Sequence, residues 1–446
     1  MSLIERNFHL KILDGGVIVM QGGIPLLKSF EIRNAYSFLD ECVVDMEATN
    51  IKAHKYSLIT SETNEHVPEK LSLLPVLSIY GANASGKTNL LRALLSVFNS
   101  ITSDSDNPIH GNYLSGLKNS SDLIEGTTLK MTFILNRNEY ALSFYFLAGE
   151  YFSEKFHYRK NSKGKMLRVY ERNWDEKTNV WKLKTGLTIN KEWLDEIEYV
   201  SSMERDNKNL LLYALCKRSN ISLFSSLATW ASRFSNAESP VSYSMDPRSL
   251  TTREKNPHLK IFNDKAYKPQ IIEFVRSINP LIQSFNFVKD TDEKEMTYQL
   301  EFQYTQSYND DDDVEIIDKT LTCYESRGVY SAITLLPSIL LALKKGGLVI
   351  ADELENSLHP LLMTKVINLF TDPDINVGGG QLIFTTHNAL IMDKRYLRQD
   401  EIGFVEKDED GRSEFYKLSD IDNVRSDLDF SKNYILGAFG AIPEMS

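Results

Sequence analysis

Gly81-Ala-Asn-Ala-Ser-Gly86-Lys87-Thr88 is the stretch that decides the fold. It meets the phosphate-binding pattern G-x-x-x-x-G-K-[ST] at every fixed position. Pro75-Val-Leu-Ser-Ile-Tyr80 precedes it and reads as a buried strand; Asn89-Leu-Leu-Arg-Ala-Leu-Leu95 follows and reads as a helix. Glycines let the backbone wrap a phosphate, and the helix N-terminus offers unpaired N–H groups and a positive dipole end. In this context Lys87 can reach the β- and γ-phosphates and Thr88 can ligate Mg²⁺.

A second group of segments lies far downstream. Gly347-Leu-Val-Ile-Ala351 is an apolar run ending in Asp352-Glu353. An Asp at such a strand end can hold Mg²⁺, and the following Glu can orient or deprotonate an attacking water. Asn356-Ser-Leu-His-Pro360 comes next, and then Gln381-Leu-Ile-Phe-Thr-Thr-His387, another strand that ends in a histidine able to touch the γ-phosphate. Upstream, Glu325-Ser326-Arg327-Gly328 opens a helix over Val329 to Leu343; Ser326 and Gly328 suit either a plain helix cap or a phosphate contact.

Composition bounds the rest. The chain has 446 residues, 42% hydrophobic and 25% charged, with a net charge of −11, as expected of a globular protein with two or three domains. Cys42, Cys216 and Cys323 are far apart and odd in number, which predicts no disulfide framework and a reducing cytoplasm. No stretch approaches the ~18 apolar residues of a membrane span; the longest candidate, Ile333 to Leu343, contains Pro337. The N-terminus, with Glu5 and Arg6, lacks the apolar core of a signal peptide.

Along the chain, His9–Leu13 and Gly16–Met20 read as a hairpin or as an extension outside the main fold. Leu27–Arg33 and Cys42–Met46 read as strands. Leu129–Leu135, Glu139–Phe146 and later segments to about Leu183 read as an antiparallel meander. Helical periodicity runs from Lys191 to about Phe287, interrupted by a Ser/Pro/Asn-rich loop over Asn236–Lys260, and strands return from about residue 296. Asp310-Asp-Asp-Asp313 reads as a solvated loop. Lys155-Phe-His-Tyr-Arg-Lys160, with Lys163, Lys165 and Arg168, is the densest basic cluster. It reads as the outer face of a β-hairpin, or as a nucleic-acid contact in which Phe156 and Tyr158 stack on bases.

The order of these pieces resembles the heads of ABC-class ATPases, including the SMC-like repair proteins and the ATPase domain of the OLD nucleases. It looks most like the AAA-family ATPases of bacterial phage-defence operons, the RloA and AbiL-type proteins, and more distantly the AriA subunit of PARIS. The matching segments are Leu27–Asn34 with Ser37-Phe38, Gly81–Asn89, Asp352-Glu353 with Ser357–Pro360, Thr385–His387 and Leu436–Pro443. The resemblance covers about residues 26–446. It implies an α/β P-loop NTPase, an ABC/SMC-like head with an antiparallel β subdomain and a helical insert. The expected divisions are 1–25 as an extension, 26–187 and 291–446 as the two parts of the head, and 188–290 as the insert.

Carried over by residue, the resemblance implies ATP and Mg²⁺ as cofactors. Gly81, Asn83, Ala84, Ser85, Gly86, Lys87, Thr88 and Asn89 hold the nucleotide. Thr88 and Asp352 hold the metal, Glu353 acts on the water with Lys87 beside it, and His387 is the switch residue. Ser326 and Gly328 would touch ATP held by a second subunit, although Ser326-Arg-Gly-Val-Tyr-Ser331 is degenerate against the family's Leu-Ser-Gly-Gly form. The implied function is an ATP-hydrolysing, ATP-dimerised sensor subunit of an anti-phage (abortive infection) system. It would act on a separately encoded effector, an RloB-like protein or a TOPRIM nuclease, because no TOPRIM-like acidic cluster follows His387. The alternative is a DNA-maintenance ATPase that binds nucleic acid directly. A membrane-transporter motor fits poorly, since the insert is large and no membrane-coupling surface is evident.

Overall fold

A computed structural model describes residues 23–102, 126–147, 150–187, 189–205, 210–235, 264–265, 267–290, 297–307, 314–317, 327–356, 358–425 and 428–443. The expected hairpin before residue 22, the loop over Asn236–Lys260, the Asp310–Asp313 run, Cys323 and Ser326 lie outside them.

The chain is an α/β P-loop NTPase head built on a five-stranded sheet. Its strands lie in the order Gly347–Ala351, Gly380–Thr385, Val76–Tyr80, Ile402–Lys407, Ser413–Lys417; the first four are parallel and the last returns as an antiparallel hairpin. The first three are buried along their whole length, which explains why they read as continuous apolar runs rather than alternating ones. Alternation instead sorts their side chains between two cores. Leu77, Ile79, Leu348, Ile350, Ile383 and Val405 face one core. Val76, Tyr80, Val349, Leu382, Phe384 and Phe404 face the other.

The first core lies between this sheet and a seven-stranded antiparallel one. That second sheet contains the expected meander, Thr127–Leu135, Asn138–Leu147, Glu150–Arg159, Leu167–Asp175 and Val180–Thr185, with Leu26–Arg33 and Cys42–Asp45 added at its near side. Gln381 joins the two sheets. Its side-chain oxygen accepts from Leu27 N at 2.7 Å, while its amide donates to Leu27 O at 2.9 Å and Leu74 O at 3.3 Å. The first strand is bulged at this point, between Leu27 and Ser29, and the Leu27 backbone bonds to the Gln381 side chain.

The helix after the phosphate loop runs from Lys87 to Thr102, longer at both ends than its apolar run predicts. Its buried residues, among them Leu91, Leu94 and Phe98, pack against the helix Ser222–Ser235, where Phe98 meets Trp230 edge-on at 4.8 Å. The helices Lys191–Met203, Leu211–Arg218 and Ser222–Ser235 thus share the first core with the phosphate-loop helix. Glu154, fully buried on the meander, ties the middle helix down: its carboxylate accepts from Leu211 N, Leu212 N, Tyr170 Oη and Arg172 Nε at 2.6–3.0 Å. Four donors on one buried carboxyl leave neither of its oxygens unmet, as buried polar groups require.

The second core is closed by the helices Lys268–Ile278, Arg327–Lys345 and Pro360–Thr371. One expectation fails here. Helix does not continue to Phe287; it stops at Ile278, and Ile282–Asp290 is a strand paired with Thr297–Ser307. Pro280 accounts for this, because a residue preceding proline is pushed out of the helical region, and Asn279 is extended at φ −128°, ψ 100°. Among the described residues no helix is long and apolar enough to cross a membrane.

Candidate functional site

The parallel register brings three strand ends to one edge of the sheet. Ala351 lies opposite Phe384, and Thr385 opposite Ile79, so Asp352 emerges level with Thr385, and Gly81 two residues further on, level with His387. The strand that carries the histidine segment sits between the phosphate-loop strand and the acidic strand.

The phosphate loop is held in a conformation that depends on its glycines. Gly81 and Gly86 have φ of 156° and 117°, and Ala84 takes a left-handed φ of 61°. A β-carbon at Gly86 would stand 2.5 Å from Ser413 Oγ and 2.9 Å from Ser37 Oγ. These two hydroxyls lie 2.7 Å apart, Ser413 Oγ is 2.5 Å from Ser85 O, and Asn89 Nδ2 donates to Ser37 Oγ at 3.2 Å. Ser37 comes from the turn between the first two strands and Ser413 from the final hairpin, so both sheets brace the loop. Sequence reading gave Ser37 only as part of a matching segment and gave no signal at all for Ser413.

Lys87 is buried, and its ammonium donates to the Gly81 and Ala82 carbonyls at 2.9 Å each. Burial pulls its pKa below the ordinary lysine value, and the carboxylates of Glu353, Asp352 and Glu355 oppose that shift. Thr88 Oγ1 donates to Asp352 Oδ2 at 2.8 Å, and Thr385 Oγ1 donates to Asp352 Oδ1 at 2.5 Å. The Glu353 N–H in turn bonds to Thr385 Oγ1 at 2.7 Å. Thr385 is thus the hub between the two acids, a role that a threonine inside an apolar strand does not announce. Glu353 has φ 48°, a conformation that costs a non-glycine residue ~1–3 kcal/mol and that tends to occur at functional sites.

His387 is exposed just beyond the strand end, and its N–H donates to Glu355 Oε1 at 2.5 Å. Its imidazole is held below the ordinary histidine value, first by partial loss of solvent and then by the Lys87 charge; Glu355, Glu353 and Asp352 act the other way. The His359-Pro360 pair serves as a helix start: His359 Nδ1 accepts from Leu361 N at 3.3 Å, and Pro360 takes the first helical position. Gly328 lies in the first turn of the helix Arg327–Lys345.

The oxygen donors fit a hard cation. Mg²⁺ is characteristically bound through one or two protein oxygens plus substrate phosphates, and the Thr88 hydroxyl and Asp352 carboxylate form such a pair beside the loop.

The basic cluster on the meander looks different in place. Phe156 is buried among Tyr140, Tyr170 and Phe224 and has no face to offer a base. Arg159 pairs with Glu139 at 2.5 Å, and His157 and Arg168 with Glu171 at 3.1 and 3.4 Å. The Arg159–Glu139 and His157–Glu171 contacts run between neighbouring strands, and Arg168 meets Glu171 within its own strand.

Among solved structures, the chain is similar to an SMC head bound to the C-winged helix domain of ScpA (14% identity, TM-score 0.40, 88% of this chain and 97% of that one). It is similar to an SMC head domain from Thermotoga maritima (12%, 0.36, 88% and 98%). A third is an Smc head domain with an extended coiled coil, bound to the C-terminal domain of ScpA derived from Pyrococcus furiosus (13%, 0.38, 93% and 98%). A search of curated proteins gives no match. The family described as "AAA domain, putative AbiEii toxin, Type IV TA system" matches residues 76–393, from the first residue of the phosphate-loop strand to just past His387. The chain belongs to that AAA-domain family.

Proposed function

We propose that the protein is an ATPase that binds MgATP at the phosphate loop and hydrolyses it. The observation that carries this reading is the convergence of Lys87, Thr88, Asp352, Glu353, Thr385 and His387 on one sheet edge, from three separated segments. The loop backbone and Lys87 bind and orient the phosphates. Mg²⁺, when bound, supplies positive charge against the phosphate oxygens. Asp352 is fixed by two hydroxyls, which keeps a carboxylate aimed at that position. Glu353, on its left-handed backbone, holds or takes a proton of the attacking water, and His387 faces the terminal phosphate.

In this account two copies close around two nucleotides, each site completed by the start of the partner's Arg327–Lys345 helix, with Ser326 and Gly328 as the contacts. ATP then acts as the adhesive, because a ligand that binds only the assembled form favours assembly. The family's description, "putative AbiEii toxin, Type IV TA system", supports a place in a toxin–antitoxin or defence system, and in this reading the chain is the ATP-driven sensor subunit of an abortive-infection system. A separately encoded RloB-like protein or TOPRIM nuclease would be the effector. The alternative, a DNA-maintenance ATPase, loses support from the buried Phe156 and from the pairing of Arg159 and Arg168 with Glu139 and Glu171.

The test is the mass of the native assembly with and without ATP, for the parent and for Glu353→Gln. The variant is expected to bind ATP, hydrolyse it far more slowly and remain in the closed assembly. Hydrolysis by the variant at the parental rate removes Glu353 from the water-handling role. No change of mass on adding ATP removes the sandwich.

A further inference from the structure

The turn Leu354–Asn356 follows the two acids directly, and it carries a third, Glu355. The left-handed backbone at Glu353 turns the chain here. Glu355 Oε1 accepts the His387 N–H at 2.5 Å, across 32 positions of sequence. Its other oxygen, Oε2, is buried and has no hydrogen-bond partner. A buried carboxylate oxygen without a partner is costly, and such groups are rare enough in folded proteins to call for a reason.

The three acids divide their work. Asp352 has both oxygens committed, to Thr88 and Thr385. Of the three acids, Glu355 is the one bonded to the amide of the residue expected to face the terminal phosphate. The neighbouring loop atoms are anchored elsewhere: Thr386 N donates to Ile79 O at 3.0 Å and Asn388 N to Thr386 Oγ1 at 3.0 Å. The sheet thus holds the chain up to Thr386, and the His387 N–H itself is bonded to the acidic turn.

We propose that Glu355 is a positioning residue for ATP turnover, which fixes His387 relative to the phosphate site by accepting its N–H while making no contact with nucleotide itself. The inference rests on the ATPase reading above. A displacement of about 1 Å in a reacting constellation can cost ~100-fold in rate, so the effect belongs in turnover rather than in binding.

The experiment compares the parent, Glu355→Ala and Glu355→Gln. Glutamine keeps an oxygen acceptor for the His387 N–H and removes the charge. Three quantities are read: kcat and KM for MgATP, affinity for a fluorescent ATP analogue, and the His387 side-chain titration by NMR. In Glu355→Ala, kcat is expected to fall ~10–100-fold, with KM and analogue affinity within about threefold of the parent. In Glu355→Gln, most of kcat returns. The His387 titration moves to lower pH in the glutamine variant, because Glu355 favours the imidazolium together with Glu353 and Asp352, against Lys87 and burial.

Parental kcat in Glu355→Ala overturns the proposal, as does an equal loss in both variants accompanied by a parallel rise in KM. A folded Glu355→Gln variant that loses kcat as far as is expected of Glu355→Ala overturns it too, and that outcome stands even if the alanine variant does not fold. If the parent takes up no MgATP, the ATPase reading fails, while the NMR shift of the His387 backbone amide in the parent and in Glu355→Ala still decides whether Glu355 holds that N–H.

Discussion

Thr88 and Asp352 share a hydrogen bond of 2.8 Å across 264 positions of sequence. This contact closes the site: it joins the first turn of the phosphate-loop helix to the end of the acidic strand. In the proposed function the same two oxygens serve the metal. Asp352→Asn is therefore expected to lower Mg²⁺-dependent ATP turnover by ~100-fold or more, the scale seen when an electrostatic group is lost from a reacting site. Thr88→Ala should lower it in the same direction. Phosphate release at saturating MgATP measures both, and parental rates in either variant would remove that residue from the metal site.

Gly86 is the position where packing leaves least room. Its φ of 117° already disfavours a side chain, and a β-carbon would stand 2.5 Å from Ser413 Oγ. Gly86→Ala is expected to cost ~1–3 kcal/mol of stability and to weaken ATP binding severely. Adding Ser413→Ala removes the clash but not the backbone strain, so stability should return only in part. Urea unfolding of the single and double variants gives the comparison; complete recovery in the double variant would show that strain at Gly86 is negligible.

A pH effect on stability follows from Glu401, which precedes the strand Ile402–Lys407. Its side chain is fully buried, Oε2 accepts Arg398 N at 2.8 Å, and its backbone carbonyl takes the Ser78 hydroxyl of the phosphate-loop strand at 2.9 Å. Burial pushes its carboxyl up to about 8, from 4.5. Between those values the folded chain keeps a proton that the unfolded chain has lost, so this residue makes stability fall as pH rises through the window. Glu401→Gln keeps the acceptor and cannot ionise. Its thermal midpoint should therefore drop less than the parent's between about pH 5 and about pH 8. Parallel curves for the two proteins would contradict the assignment.

Local patterns carried the site residues that sequence could identify. Gly81–Thr88, Asp352-Glu353 and His387 are each read from a few neighbouring residues, because loop, strand and helix chemistry is local. The contacts that organise them are not local. Thr385 joins Asp352 and Glu353 only once the sheet has formed, Gln381 meets Leu27 across 354 positions, and Ser413 meets Ser37 across 376. A polar residue in an apolar strand, or a serine opening a hairpin, has no sequence feature that reveals such a partner. Alternation placed Leu77 and Val76 on opposite faces, but which core each would enter depended on the second sheet. The strand at Ile282–Asp290 was legible in principle, since Asn279-Pro280 marks the end of the helix. The nucleic-acid reading of the basic hairpin weakens for the opposite reason: Phe156 looks available in sequence and is core in space.

The claim on which the whole account depends is that this edge of the sheet binds MgATP. Isothermal titration of the full chain with ATP and excess Mg²⁺ tests it most directly. The account predicts saturable uptake of one nucleotide per chain, abolished by Lys87→Ala in a variant that keeps its fold by circular dichroism. A flat titration of the folded parent, or undiminished uptake by Lys87→Ala, would contradict it.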